Sequence, residues 1–248
     1  MDRARLWTTL LVLICTAAPA SLGQGGLLDW VNQLRQGNGL PPLESDELLA
    51  GTAQAWSRHL AEAGVLSHLG ADGSSVLDRY RAAGGTDVRV GEILGAGRNL
   101  GEIERAWARS DPHRQLILEP FWTHAGWGSS TTAGGPVVWV VVFCQRLVKD
   151  LSLTQANGSL VITGVFTTAA AAVPELSVGL SSVPPSSWDG TPAFRFEFKV
   201  TRPEPDAYVR LGYWDKAGTF VLTNAFTLRP GTESPAGQAR SEAPGASP

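Results

Sequence analysis

Four histidines, His59, His68, His113 and His124, are the side chains of this sequence best suited to metal or acid–base chemistry. No two of them form an H-x-x-x-H pattern and there is no C-x-x-C pair, so a metal held by one short motif is excluded. A phosphate-binding glycine loop and a G-x-S-x-G nucleophile elbow are missing as well. What remains is dispersed: His68 in Leu66-Ser67-His68, Glu92 in Gly91-Glu92-Ile93-Leu94, and His113 in Ser110-Asp111-Pro112-His113-Arg114. Neutral imidazoles and a carboxylate are ordinary zinc ligands, and a histidine at a helix N-terminus is kept neutral by the helix dipole, as a metal requires. The structural alternatives are local: Asp111 as a helix cap and Arg114 paired with Glu92 or another acid. His59 reads as a solvated helix-surface residue, and His124 as a loop or cleft-rim residue.

Three distant segments must be brought together for these groups to act, so the elements carrying them matter. Leu27, Leu28, Val31 and Leu34 recur at helical spacing until Gly37 and Gly39, and Pro41-Pro42 confirm the break. Ser45 reads as the cap of a second helix with Asp46 and Glu47 in its first turn, a stripe of Leu49, Ala53, Trp56 and Leu60, and a stop at Gly64. A short helix is expected over 76–83, between Ser74-Ser75 and Gly84-Gly85. Asn99 and Glu102 form a capping box for a helix whose Leu100, Ile103 and Trp107 point one way. Asp111 then caps a short helix to about Leu118 with Pro112 in its first position. Val137 to Phe143 is apolar throughout, which predicts a central strand covered on both faces, and helices above and below it give a three-layer sandwich. Trp56, Trp107 and Trp139 read as core.

Beyond Lys149 and Asp150 the rhythm changes. Short runs at 160–166, 176–180, 194–200, 208–214 and 220–226 read as strands, the clearest alternating Phe194, Phe196 and Phe198 with Arg195, Glu197 and Lys199. Asp215 to Gly218 suits a hairpin turn. The expected fold class is therefore α+β: an α-β-α sandwich over residues 24–149, then a small C-terminal all-β sandwich over 150–229. Strand spacing suggests an immunoglobulin-like type lacking the cysteine framework. Residues 230–248, rich in Pro, Gly, Ala and Ser, read as a disordered tail.

With 43% hydrophobic and 17% charged residues among 248, the chain has enough apolar side chains for real cores. A net charge of −3 and the lack of a basic, aromatic-interleaved run exclude a nucleic-acid partner. Arg3 and Arg5, the apolar run to Ile14 and the small residues ending at Ala20 read as a secretory signal peptide, residues 1–23, cleaved after Ala20 or Gly23. No later uncharged run is long enough to span a bilayer, so no transmembrane segment is expected. Ile14 before Cys15 argues against a lipidated cysteine. The mature chain then keeps only Cys144, so no internal disulfide is expected, and its apolar context predicts a buried, inert thiol. Asn157-Gly158-Ser159 fits the glycosylation pattern.

In order, the phrases Val31-Asn32-Gln33-Leu34-Arg35, Ser67-His68, Gly91-Glu92-Ile93-Leu94, Trp107 through Leu118, Thr123-His124-Ala125-Gly126-Trp127-Gly128 and Trp139 to Phe143 resemble the CAP superfamily. This superfamily comprises cysteine-rich secretory and pathogenesis-related proteins with the SCP domain, and the likeness is to its bacterial secreted members. The resemblance covers residues 27 to about 149. It implies an α-β-α sandwich with a cleft where histidines and acids converge and, in several members, bind a divalent metal. By match those residues are His68, Glu92 and His113, with Ser110 where animal and plant members have a second glutamate; Ile93 replaces the family's asparagine. Ser110 and Arg114 complete the expected cleft. The expectation is a secreted binding or interaction module, located extracellularly, in a periplasm or at a cell surface. It would hold zinc or another divalent metal, or a small apolar ligand, lipid or protein partner. The alternatives are a metal-dependent hydrolase using the same cleft and a structural cell-envelope protein with a vestigial cleft.

Overall fold

The computed structural model describes residues 25–156, 159–167, 173–199 and 207–228. The expected signal peptide at 1–23, Asn157-Gly158 of the glycosylation pattern and the expected tail at 230–248 lie outside the described residues.

The first unit contains helices α1 (Gly25–Gln36), α2 (Glu47–Ala63), α3 (Val76–Ala82), α4 (Leu100–Arg109) and α5 (Asp111–Ile117). Its strands are β1 (Glu44–Ser45), β2 (Val90–Gly97), β3 (His124–Thr131) and β4 (Val137–Cys144), in the order β1-β3-β4-β2. Only the short β1/β3 pair is parallel. β4 divides the core, because successive strand residues face opposite ways. Val141 and Phe143 pack with Leu27 and Val31 of α1, Ile103 and Trp107 of α4 and Ile117 of α5. Val138, Val140, Val142 and Cys144 pack with Leu49, Ala53, Trp56 and Leu60 of α2 and Tyr80 of α3. Helices thus cover both faces of the sheet, as the unbroken apolar run requires.

Buried polar residues tie the layers together. Arg35 of α1, fully buried, donates to the carbonyls of Pro41, Ile117, Glu119 and Trp122, closing the C-terminal end of α5 onto α1. Asn32 exchanges two hydrogen bonds with the Leu43 backbone, at 3.0 and 2.8 Å. On the other face, Arg146, two residues past β4, donates to Asp46 at 2.7 Å and to Asp87, which also accepts from the Tyr80 hydroxyl.

Several local expectations are corrected. α2 is capped by Asp46, whose side chain accepts from Leu49 N–H, because Ser45 is drawn into β1. Asn99 caps α4, but Glu102 turns to the backbone and side chain of Arg98 rather than completing the box. The complete capping box is the one between Ser75 and Asp78 on α3. Ser110, not Asp111, stands at the cap of α5, and Asp111 is exposed in the first turn. Trp139 is only partly buried, against the core, with its ring centroid 5.8 Å from that of Trp127 and tilted by 32° to it.

The sequence reading finds one strand in this half, whereas the structure has four. β2 holds Gly91, Gly95 and Gly97, and β3 holds Gly126 and Gly128, residues of low strand propensity. At Gly126 and Gly128 a Cβ would collide with the α2 backbone at Ala50 and Gln54, so glycine there lets helix and sheet touch directly.

The second unit has two sheets, β5-β6-β9 and β11-β10-β7-β8. Their strands are β5 (Val148–Ala156), β6 (Ser159–Phe166), β7 (Val173–Val178), β8 (Ser181–Val183), β9 (Ala193–Lys199), β10 (Ala207–Trp214) and β11 (Phe220–Leu228). Ile162, Phe166, Phe194 and Phe196 from one sheet share a core with Leu176, Val209 and Leu211 from the other. The change of unit falls before Val148, whose side chain already belongs to this core, so Lys149 and Asp150 lie inside β5 at a register shift. Edge strand β11 meets the first unit: Ala225 N–H donates to the Thr86 carbonyl at 2.9 Å, and Asp87 and Asn224 form an antiparallel bridge.

Gly128→Ala is expected to destabilise the protein by about 1–3 kcal/mol through overpacking against α2. In a thermal melt followed by circular dichroism the midpoint falls by roughly 2–12 °C; an unchanged midpoint would mean that α2 does not lie this close to β3.

Candidate functional site

β2 is an edge strand, so its outer side is open to side chains from loops and helix ends. Ile93 faces the α1/α4 layer, and Glu92, its neighbour, therefore faces the α2/α3 layer. The Glu92 side chain is 2% exposed. A carboxylate this deep needs partners, and both its oxygens have them. His68 Nδ1 lies 2.8 Å from Oε1, and Arg79 Nη2 donates to Oε2 at 2.8 Å.

Arg79 is the functional residue that sequence reasoning missed. The Ser75–Asp78 box fixes α3, and the Arg79 guanidinium lies 3.7 Å from the centroid of the Trp56 ring. From there it donates to the carbonyls of His68 and Ser74 as well as to Glu92. Trp56 Nε1 donates to the Ser67 carbonyl at 3.2 Å. The loop carrying His68 is thereby fastened to α2, α3 and β2 together. Nothing in the sequence separates Arg79 from Arg81, which turns instead toward the Tyr208 hydroxyl.

His113 occupies the first turn of α5, beside Trp107, with ring centroids 6.2 Å apart. The Ser110 hydroxyl does not cap the helix but bonds His113 Nδ1 at 2.7 Å, fixing the ring. Burial lowers the His113 pKa, and the nearby His68 charge lowers it further, against a smaller pull from the Leu94 backbone. Burial pushes the Glu92 carboxyl up, while Arg79 and His68 pull it back. The His68 side chain remains 58% exposed.

The fold thus places His68 and Glu92 in contact, with His113 near enough to feel the charge of His68. Arg114 does not join them: it donates to Asn38 at 3.2 Å, while Arg79 holds Glu92. His59 is exposed and stacks on Trp56 at 4.8 Å. His124 opens β3, two strands away from β2, and pairs with Glu44 at 3.6 Å. Cys144 is buried, and burial together with Asp87 raises its thiol pKa, so it stays protonated.

As arranged, Glu92 is not placed to ligate a divalent cation directly. Glu92 gives both oxygens to protein donors, and a cation placed on it would stand beside the Arg79 guanidinium. Among the described residues, no group of three or more His, Cys, Asp or Glu side chains is spaced to hold a metal ion.

Two outcomes follow from this geometry. Arg79→Met leaves the buried Glu92 carboxylate with His68 as its remaining partner and is expected to destabilise the protein by about 3–5 kcal/mol in chemical denaturation, with part of the loss recovered by adding Glu92→Gln. For His113, an NMR titration of the ring is expected to give a midpoint below the ordinary value of about 6.5. The unfolded chain then takes up a proton that the folded one refuses, so stability falls as pH drops below about 6.5 toward the folded-state pKa. His68→Gln raises the His113 midpoint; a midpoint at or above the ordinary value contradicts the arrangement.

Residues 28–144 match the family described as the cysteine-rich secretory protein family, CAP. The Bacillus subtilis protein YkwD, described as uncharacterized, is 32% identical over 116 residues, 46% of this chain and 45% of that protein. The chain thus spans less than half the length of this curated relative. Among solved structures, an outer surface protein from Borrelia burgdorferi is 24% identical with a TM-score of 0.46, covering 48% of this chain and 90% of its own. An extracellular protein containing an SCP domain from Bacillus anthracis is 22% identical with a TM-score of 0.44, covering 50% of this chain and 40% of its own. On the family match and the likeness to YkwD, which fall on the segment carrying His68, Glu92 and His113, this part of the chain belongs to the cysteine-rich secretory protein (CAP) family.

Proposed function

We propose that the chain is a secreted binding module whose recognition site is the His68–Glu92–His113 cleft, and that it does not turn over a substrate. The observation that carries this reading is the engagement of Glu92: its carboxylate is bonded to His68 and Arg79 at 2.8 Å each, and both partners favour its charged form, which makes it a poorer proton acceptor for a general base's work. What the cleft offers a ligand is the exposed His68 imidazole beside the neutral His113 ring fixed by Ser110. These are hydrogen-bonding groups set among Trp56 and Trp107, suited to holding a partner rather than cleaving it. Secretion rests on the basic, apolar and small-residue sequence of 1–23. It agrees with a chain in which, among the described residues, no helix is long and apolar enough to cross a membrane.

A second reading, divalent metal binding, is favoured by one observation: His113 is held in the neutral state that a metal ligand needs. For Glu92 to join the histidines as a direct ligand, Arg79 must leave it. The test is a zinc titration by calorimetry of the protein, His68→Ala and His113→Ala, alongside Arg79→Met. The binding-module reading expects no saturable uptake by the parent and a gain of affinity in Arg79→Met if that variant stays folded. Saturable one-site binding by the parent, lost in both histidine variants, establishes a metal centre and overturns the preferred reading.

A further inference from the structure

Away from the His68 cleft, the seam between the two units contains a second concavity of about 300 Å³. One side is polar, with Asp87, Arg146 and Asn224; the other is apolar, with Val148, Leu151 and Leu153 of β5. Its size is at the lower end for sites that hold small organic molecules.

Asn224 is the informative residue. It is 2% exposed, its amide nitrogen donates to the Thr86 hydroxyl at 3.0 Å, and its carboxamide oxygen is buried with no hydrogen-bond partner. An unpaired buried acceptor is a destabilising feature that folding normally removes. Asn224 also lines the cleft, so a donor bound there can satisfy this oxygen once the carboxamide turns toward it. The charges lining the cleft are Asp87, Asp150 and Arg146. Arg146 is already bound by Asp46 as well as by Asp87, so three carboxylates stand against one guanidinium. A donor that also carries positive charge is therefore preferred over a neutral or anionic one.

We propose that this cleft binds a small amphipathic amine: a protonated amino group donates to the Asn224 oxygen within the field of Asp87 and Asp150, and a short hydrocarbon body packs on Val148, Leu151 and Leu153. The site is separate from the His68 cleft and does not depend on its function. Because its walls come from both units, occupancy fastens the β-sandwich to the CAP unit.

The test uses the full chain, 15N-labelled, titrated with n-hexylammonium and, separately, with hexanoate, which has a similar body and opposite charge. Saturable shifts are expected at the Asn224 side-chain amide and the Thr86 and Asp87 backbone amides, with hexanoate at least tenfold weaker. Asp150→Asn, which suits the left-handed backbone at this position (φ 52°), is expected to weaken binding by roughly two- to fivefold. Leu153→Trp, filling the cleft from β5, is expected to abolish it. The proposal is overturned if the shifts do not saturate, if hexanoate binds as well as the amine, or if a folded Leu153→Trp protein binds unchanged. Should Leu153→Trp fail to fold, the charge comparison and Asp150→Asn still decide.

Discussion

Arg146 is the constraint on which the α2/α3 side of the CAP unit depends. Its guanidinium joins Asp46, the cap of α2, to Asp87, in the segment leading into β2, and its backbone N–H donates to the Thr123 hydroxyl at the start of β3. Burial opposes its charge, but Asp87 and Asp46 more than restore it, so its pKa is raised. For Asp46, burial would raise the carboxyl, yet the Leu49 N–H and Arg146 together hold it below the ordinary range. A group of charges this deep is tolerable only while complete, since removal of one member leaves another unpaired in a poorly hydrated interior. The network therefore contributes specificity: it admits one placement of α2 relative to the sheet and one path for the chain between α3 and β2.

That path sets the site. Arg79 and Tyr80 are consecutive residues of a seven-residue helix, and they point to different acids. Arg79 reaches Glu92 and holds the His68 loop, while Tyr80 donates to Asp87 beside Arg146. Asp87 in turn bridges to Asn224 of the β-sandwich. The cleft histidine, the buried ion network and the junction between units are thus connected through two turns of backbone. This short helix is placed by both kinds of contact: the Tyr80 ring is buried in the core with Val76 packed beside it, and the polar bonds of Arg79 and the Tyr80 hydroxyl fix its orientation.

Much of this was legible in the sequence. The even apolar run from Val137 to Phe143 announced a strand covered on both faces, and the Phe194–Lys199 alternation announced a strand with one wet face. His68, Glu92 and His113 were found by resemblance, and the first two are in contact. What escaped had physical reasons. β2 and β3 were hidden by glycines, two of which are there for the approach of α2. Arg79 was hidden because its role depends on tertiary placement: a guanidinium on a short exposed-looking helix carries no periodic mark. The pairing expected of Arg114 failed for the same reason, since charge alone does not say which of several arginines reaches a given acid.

The contact between Asp46 and Arg146 spans a hundred positions of sequence, and Arg35 reaches over eighty to the end of α5. Asp46 waits for a residue made just after β4, the last strand of the CAP unit, and Arg35 waits for the end of α5 and the segment leading into β3. A chain emerging from the ribosome cannot complete this unit until Arg146 has been made, because neither the cap of α2 nor the start of β2 has its counter-charge before then. Contacts this distant in sequence also slow folding once the chain is whole, since a large loop must close before any of them is gained. Synthesis therefore yields a long stretch of unfinished polypeptide, the state in which a chain can still be threaded through a narrow translocation pore.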